Sequence, residues 1–178
     1  MVKRIAVIGP RCSGKTKLIE RYVKKRYSPT YISTIVSDVV NDSENNVIWD
    51  TPSNPRFIGD VQLVLKKSAG VILCFCPSVP ESFHQALALI EGFDKPIVIA
   101  ATKADIKPFC IRDEWSSEAR VRRVKIIRTS AVNGGGVSQV FKEIYDLVPD
   151  EKEIVLSRLE YTTQQIGSCI NYGVSYIT

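Results

Sequence analysis

The sequence predicts an α/β protein with a mostly parallel six-stranded sheet, one antiparallel edge strand and helices on both faces. Short, continuous apolar runs rich in β-branched residues recur along the chain, as in strands buried on both faces of a parallel sheet. Segments with apolar residues at helical spacing separate these runs, and such alternation is typical of a doubly wound sheet. The 178 residues, 44% of them hydrophobic, suit one domain with a sizeable core.

The elements follow one another in a regular order. The predicted strands are the runs RIAVIG, NVIWD, GVILCFC, PIVIAAT and VKIIRTS. The predicted helices span Lys15–Lys25, Arg56–Lys67, Glu81–Glu91, Asp113–Arg122 and Val137–Leu147. The stretch SDVVNDSENNVIWD breaks the alternation, and its polar middle predicts a hairpin with one antiparallel strand at the sheet edge. The pattern ends near residue 150, so we expect a domain of residues 1–149 followed by a tail of residues 150–178.

The first strand leads into a glycine-rich loop, GPRCSGKT, which matches G-x-x-x-x-G-K-[ST]. Its glycines allow backbone N–H groups to surround a phosphate, and the helix that follows directs its positive end to the same place. A lysine in this pattern reaches the β- and γ-phosphates, and the adjacent hydroxyl binds Mg²⁺. The residues predicted to form this site are Gly9, Arg11, Cys12, Ser13, Gly14, Lys15 and Thr16.

Asp50 ends a strand that we expect beside the phosphate loop, because ligands of such sheets bind beyond the carboxyl ends of the strands. An acid there can hold Mg²⁺ through water, as in nucleotide hydrolases with a phosphate loop. Without a metal, Asp50 would be an acid that caps the turn after its strand.

Two further strand ends indicate guanine as the base. AATKAD places Thr102, Lys103 and Asp105 after one strand, and RTSAV places Ser130 and Ala131 after the next. A carboxylate can accept two hydrogen bonds from guanine, whereas adenine has no such pair of donors. The N–H of Ala131 can donate to the guanine oxygen, and the aliphatic stem of Lys103 can cover the base.

With these motifs in place, the chain resembles a small GTPase of the Ras superfamily, closest to the Rab branch, over roughly residues 3–148. RYSPTYISTIV is similar to the first switch of Rab proteins and WDTPSNPRF to their second switch. The resemblance implies binding of GTP and GDP with Mg²⁺, and a conformational switch that effectors, exchange factors and activating factors read. It also implies that Thr34 ligates Mg²⁺ and senses the γ-phosphate. Thr102 replaces the usual asparagine of the base site, and Val132 replaces a lysine.

The departures from the family lie near the γ-phosphate. Arg11 and Cys12 replace glycines of the phosphate loop, and Ser53 replaces the glycine that faces the γ-phosphate. Asn54 matches the glutamine that orients the attacking water, but it is one methylene shorter. Because Asn54 precedes Pro55, NPRF predicts a helix start with Asn54 as its cap, which would make the side chain unavailable to hold a water.

These departures predict slow intrinsic hydrolysis. The resemblance implies that Arg11 fills the room needed by the water-orienting residue of the second switch and by the arginine of a helper protein. The alternative is that Arg11 itself reaches the γ-phosphate as a built-in arginine. Asn54, Arg11 and Lys15 are therefore the candidate catalytic residues.

Three functions are consistent with these residues. The first is a GTP/GDP switch with slow hydrolysis, the second is a non-hydrolysing GTP-bound interaction module, and the third is a kinase or ATPase, against which Asp105 and Ala131 argue.

A net charge of +5 without interleaved aromatic residues does not predict nucleic-acid binding. Five cysteines without a secretion signal indicate reduced thiols, and Cys74 and Cys76 are predicted to fill the core. No prenylation motif is visible, so we expect a cytoplasmic protein that would reach membranes only through a partner.

Overall fold

The computed structural model describes residues 2–30, 34–107 and 109–149; the expected tail of residues 150–178 lies outside them. Residues 2–148 form one compact unit. Its strands are β1 (Arg4–Ile8), β2 (Asp38–Asn41), β3 (Val47–Asp50), β4 (Gly70–Phe75), β5 (Ile97–Ala101) and β6 (Lys125–Arg128). Its helices are α1 (Lys15–Lys24), α2 (Ile58–Lys67), α3 (Glu81–Ala88), α4 (Asp113–Val121) and α5 (Val137–Leu147). No helix within these described ranges has the length and apolar character needed to cross a membrane.

The six strands form one sheet in the order β2-β3-β1-β4-β5-β6. All neighbouring strands are parallel except β2 and β3, which pair antiparallel from Asp38 opposite Asp50 to Asn41 opposite Val47. The predicted parallel sheet with an antiparallel edge strand is therefore confirmed. Because β1, β3, β4, β5 and β6 run in the same direction, the loops that follow them meet at one edge of the sheet.

The core has two layers, one on each face of the sheet. Alternate residues along each central strand point to opposite faces: Ile5 and Val7 of β1 pack with α1 and α5, whereas Ala6 and Ile8 pack with α2, α3 and α4. Cys74 and Cys76 are buried, as predicted for core residues, and burial raises the pKa of Cys74 to about 12.

Most helices agree with the sequence to within a residue, but two differ. A short 3-10 turn, Pro55–Phe57, precedes α2, which begins at Ile58 rather than Arg56. The helix α3 ends at Ala88 rather than Glu91, because the chain tightens there into bonds between residues three apart, such as that from the N–H of Ile90 to Leu87.

The helix α4 ends in a Schellman arrangement. The N–H of Val124 donates to the carbonyl of Ala119 at 2.9 Å, and that of Arg123 donates to Arg120 at 3.0 Å. Arg123 adopts the left-handed conformation, with a φ of 56°, at the position where glycine is preferred. The arrangement satisfies the last carbonyls of α4 at the cost of placing a bulky residue at positive φ.

The turn between β2 and β3 is attached to α5 through Asp42. The hydroxyl of Tyr145 donates to Oδ2 of Asp42 at 2.8 Å, and the amide of Asn46 donates to the same oxygen at 3.1 Å. Burial raises the pKa of the Asp42 carboxyl, but these hydrogen bonds and two from backbone N–H groups outweigh burial and lower the pKa below its usual value. The edge hairpin is thus attached to α5, which is distant from it in sequence.

Candidate functional site

The phosphate loop lies against the neighbouring strand β4. A Cβ added to Gly9 would lie 2.2 Å from the carbonyl oxygen of Cys74, so only glycine fits at this approach. Gly14 precedes α1 with a φ of 87°. Cys12 also has a positive φ, 58°, which costs a residue with a side chain about 1–2 kcal/mol. The loop therefore has a positive φ at Cys12 as well as at Gly14, although only glycine adopts such angles without strain.

Lys15 is buried at the centre of this loop, with 6% of its surface exposed. Its Nζ donates to the carbonyl oxygens of Gly9 at 3.0 Å and Pro10 at 3.2 Å. Burial lowers the pKa of Lys15, and the negative charge of Asp50 opposes that shift only in part. A phosphate bound in the loop would favour the charged form of the ammonium group.

Three predicted metal ligands meet beside the loop. The Thr16 hydroxyl donates to Oδ2 of Asp50 at 2.6 Å and lies 3.2 Å from the hydroxyl of Thr34, which is itself 3.4 Å from Oδ2. The other carboxylate oxygen, Oδ1 of Asp50, is buried and has no hydrogen-bond partner. Burial raises the pKa of Asp50, and the hydrogen bond from Thr16 and the charge of Lys15 oppose that shift.

Two hydroxyl groups and one carboxylate with an unpartnered oxygen fit a magnesium ion, which prefers oxygen ligands and keeps several waters. Among the described residues, no group of three His, Cys, Asp or Glu side chains could hold a metal. A cation at this place would therefore depend on the hydroxyls of Thr16 and Thr34 as well as on Asp50.

The residues predicted to bind the base, apart from Ser130, line one cavity of about 260 Å³ together with Gly14 of the phosphate loop; they are Thr102, Lys103, Asp105, Ala131 and Val132. The hydroxyl of Ser130 donates to Oδ1 of Asp105 at 2.5 Å and so orients the carboxylate. The Thr102 hydroxyl lies within bonding distance of the carbonyl oxygens of Ser13, at 2.7 Å, and Phe75, at 2.8 Å. Thr102 therefore connects the predicted base site to the phosphate loop. Its hydroxyl makes these contacts at the position where the family usually has asparagine.

A second cavity of about 230 Å³ adjoins the first, because both contain Gly14, Lys17, Tyr27 and Lys103 in their walls. Its other lining residues are Cys12, Lys15, Thr16, Pro29, Thr34, Thr51 and Ser53. One end of the two adjoining cavities therefore contains the ammonium group of Lys15 and the hydroxyl groups of the threonines, and the other end contains the carboxylate of Asp105. This arrangement suits an elongated ligand with phosphates at one end and a base at the other.

Sequence reasoning missed Tyr27 and Lys17. Tyr27 is 40% exposed and lines both cavities, where an aromatic side chain can contact a base. Tyr27 belongs to RYSPTYISTIV, the stretch similar to the first switch, but within that stretch the resemblance assigned a role only to Thr34. Lys17 was hidden in the helical pattern of α1, and its Nζ pairs with Glu20 at 2.7 Å.

The second switch has the predicted cap. The side-chain oxygen of Asn54 accepts a hydrogen bond from the N–H of Arg56 at 3.0 Å, with Pro55 as the first residue of the 3-10 turn. The cap begins this turn rather than α2 itself, which corrects the predicted helix start. Ser53 and Thr51 line both the second cavity and a groove of about 690 Å³ between the phosphate loop, the second switch and α3, so this groove adjoins the second cavity. Arg11 and Asn54 line the groove but not the second cavity.

Comparison with known proteins places these motifs in context. The family model described as Ras family matches residues 4–150. The chain is also similar to DnaJ homolog subfamily C member 27 of Danio rerio, with 29% identity over 169 residues. That match covers 83% of this chain and 61% of the relative, so the chain spans about three-fifths of the length of that protein.

Proposed function

Because the chain belongs to the Ras family of small GTP-binding proteins, we propose that it is a Rab-like, Mg²⁺-dependent switch between GTP-bound and GDP-bound states with slow intrinsic hydrolysis. The observation that carries this proposal is the pair of adjoining cavities, with Lys15 in one wall and Asp105 at the far end. The two cavities share lining residues, so a nucleotide with its phosphates near Lys15 and its base near Asp105 would occupy both.

At the phosphate end, Lys15 supplies a full positive charge and the loop supplies backbone N–H groups. Thr16, Thr34 and Asp50 would hold Mg²⁺, which neutralises charge on the β- and γ-phosphates when bound. Thr34 belongs to the first switch. Because Thr34 would help to hold Mg²⁺ beside the γ-phosphate, the conformation of that switch would depend on whether a γ-phosphate is present.

At the base end, Asp105 would accept two hydrogen bonds from guanine, held in position by the hydroxyl of Ser130. The N–H of Ala131 would donate to the guanine oxygen. Tyr27 and the stem of Lys103 would cover the faces of the base, with Val132 at the exposed rim.

Slow hydrolysis follows from how the second switch is built. The N–H of Arg56 holds the amide oxygen of Asn54 at the start of the 3-10 turn, and Asn54 does not line the cavity that contains Lys15, so its side chain is poorly placed to orient an attacking water. Arg11 lines the groove beside Asn54 and Ser53, where it would obstruct an incoming arginine. The alternative that Arg11 serves as a built-in arginine requires its side chain to turn from this groove toward the phosphate cavity.

The same cap supports a second candidate, a non-hydrolysing GTP-bound interaction module. A capped Asn54 favours it, because complete loss of the water-orienting group would leave GTP as a structural ligand. A kinase or ATPase is disfavoured by the carboxylate of Asp105, which has no matching pair of donors on adenine.

Protein partners are part of the proposal: effectors, exchange factors and activating factors that read the switches. Apolar side chains exposed on both switch regions support this, since Ile35 is 66%, Val36 64% and Leu63 51% exposed. We further propose a cytoplasmic location with recruitment to membranes through such partners, which fractionation of cells would test.

The nucleotide that copurifies with the protein separates the candidates. The protein would be denatured and the released nucleotide identified by chromatography, with Lys15→Ala as the matched control that should carry little nucleotide. GDP would support the switch and GTP the non-hydrolysing module. An adenine nucleotide would refute both.

A further inference from the structure

Two hydrogen bonds connect the residue before β2 to the helix of the second switch. The backbone N–H of Ser37 donates to Oδ2 of Asp60 at 3.0 Å, and the Ser37 hydroxyl donates to the same oxygen at 2.6 Å. Asp60 lies in the first turn of α2, and 23 residues separate the two partners in sequence. One carboxylate oxygen therefore receives both hydrogen-bond donors of one serine.

Ser37 is three residues from Thr34, the first-switch residue at the candidate metal site. Ile35 and Val36 between them are mostly exposed, so packing contributes little to the position of this stretch. Three residues span at most about 11 Å, so the place of Ser37 limits where Thr34 can reach. The sheet supports the chain only from Asp38 onward, and the contact with Asp60 extends that support toward Thr34.

We propose that Asp60 is a positioning residue that acts through Ser37 to keep Thr34 at the candidate metal site, and thereby raises the affinity for GTP relative to GDP. The inference rests on the proposed function and concerns how that site is regulated. Asp60 lies outside the walls of both nucleotide cavities and accepts hydrogen bonds from Ser37, so its effect would pass through the first switch.

The preference for GTP follows from population arithmetic. A contact that favours the arrangement with Thr34 at the site increases the fraction of protein ready to bind a γ-phosphate, and apparent affinity scales with that fraction. GDP has no γ-phosphate for Thr34 to sense, so it gains little from the same contact. Hydrogen bonds to a charged acceptor, partly exposed as here, correspond to roughly a tenfold change in such a population.

The alternative role of Asp60 is general support of α2, because an acid in the first turn also stabilises a helix electrostatically. Asp60→Asn separates the two roles, since it removes the charge but keeps an acceptor oxygen for Ser37. Ser37→Ala approaches the contact from the other partner and leaves α2 unchanged. Gln62→Ala is the matched control, an exposed residue of the same helix.

The experiment titrates the full chain, freed of nucleotide, with fluorescent GDP and with a fluorescent non-hydrolysable GTP analogue in the presence of Mg²⁺. We expect Asp60→Ala to weaken binding of the GTP analogue roughly tenfold while GDP binding changes less than about twofold. Ser37→Ala should change the ratio in the same direction but less, because its backbone N–H remains. Asp60→Asn should keep part of the preference, and Gln62→Ala should leave it unchanged.

The outcomes distinguish this inference from the function beneath it. An equal loss of affinity for both nucleotides would show a merely structural role and overturn the inference, as would an unchanged ratio in Asp60→Ala. The double variant of Asp60→Ala with Ser37→Ala should bind the GTP analogue as tightly as Asp60→Ala alone, because both residues act through one contact. Additive losses of affinity would count against the inference. If the unmutated protein bound no guanine nucleotide, the proposed function would fail and this inference with it.

Discussion

Guanine selectivity should depend on Asp105, and the structure sets the size of the effect. The carboxylate is held by a 2.5 Å bond from Ser130 and would accept two hydrogen bonds from guanine. Each bond to a charged acceptor contributes about 1.5–3 kcal/mol. Because Asp105 is exposed to solvent, we take the lower value, so two bonds give about 3 kcal/mol, or roughly a hundredfold in affinity.

We therefore expect Asp105→Ala to weaken GTP binding by roughly a hundredfold and to leave the weak binding of ATP unchanged. Ser130→Ala removes only the orienting bond and leaves both acceptor oxygens of Asp105 available to guanine, so it should cost about tenfold or less in GTP affinity, or up to about 1.4 kcal/mol. Asp105→Asn should shift preference toward xanthine nucleotides, because the amide presents a donor where the carboxylate had only acceptors.

Titration with fluorescent GTP, ATP and xanthosine triphosphate measures these changes, and Asp94→Ala, an exposed acid in a loop away from the cavities, serves as the control. The reasoning would be refuted by unchanged GTP affinity in Asp105→Ala, or by equal affinity of the unmutated protein for GTP and ATP.

Three further predictions concern rate and stability. Arg11→Gly should speed single-turnover GTP hydrolysis; if it instead abolished a rate already typical of Rab proteins, Arg11 would be catalytic. Arg123→Gly should stabilise the fold by roughly 0.5–1 kcal/mol, because glycine adopts the left-handed conformation without strain. Thermal unfolding should then show a melting temperature about 1–4 °C higher, whereas the control Arg123→Ala should show no gain. A lower melting temperature for the glycine variant would contradict the reasoning. Tyr145→Phe should lower the free energy of unfolding at pH 7 by about 1.5–3 kcal/mol. Because the folded-state pKa of Asp42 is lowered, this stabilisation is present above the pKa of about 3.9 of the unfolded state and is lost as the pH falls through the folded-state pKa. Urea unfolding of both proteins from pH 7 to about pH 2 should show the difference shrink at the acid end. A difference that stayed constant over this range would argue against the Asp42 contact.

Much of the fold could be predicted because its signals are local. The phosphate loop is a fixed spacing of glycine, lysine and hydroxyl within eight residues, and its strand and helix flank it directly. The edge hairpin was visible as a polar turn between apolar residues. Even the cap at Asn54 was predictable, since the rule relates it to its neighbour Pro55.

The boundaries that failed have a different cause. Asn54 caps a 3-10 turn before α2, and α3 ends early at Ala88, because the packing of these segments decides whether a turn closes with three or four residues. Periodicity of apolar residues does not distinguish the two at an element's end.

The sequence alone determined the class of fold, the place of the phosphate loop and the positions of Asp105 and Ser130 after two strands, because each follows from patterns within single elements and from the rule that parallel strands end at one edge. Only the tertiary structure decided that Tyr27 lines both cavities, that Ser37 bonds Asp60, and that Tyr145 reaches Asp42 across 103 residues of sequence. Such contacts depend on how distant segments pack against one another, and the free energy that selects them comes from burial of the whole core rather than from any local preference.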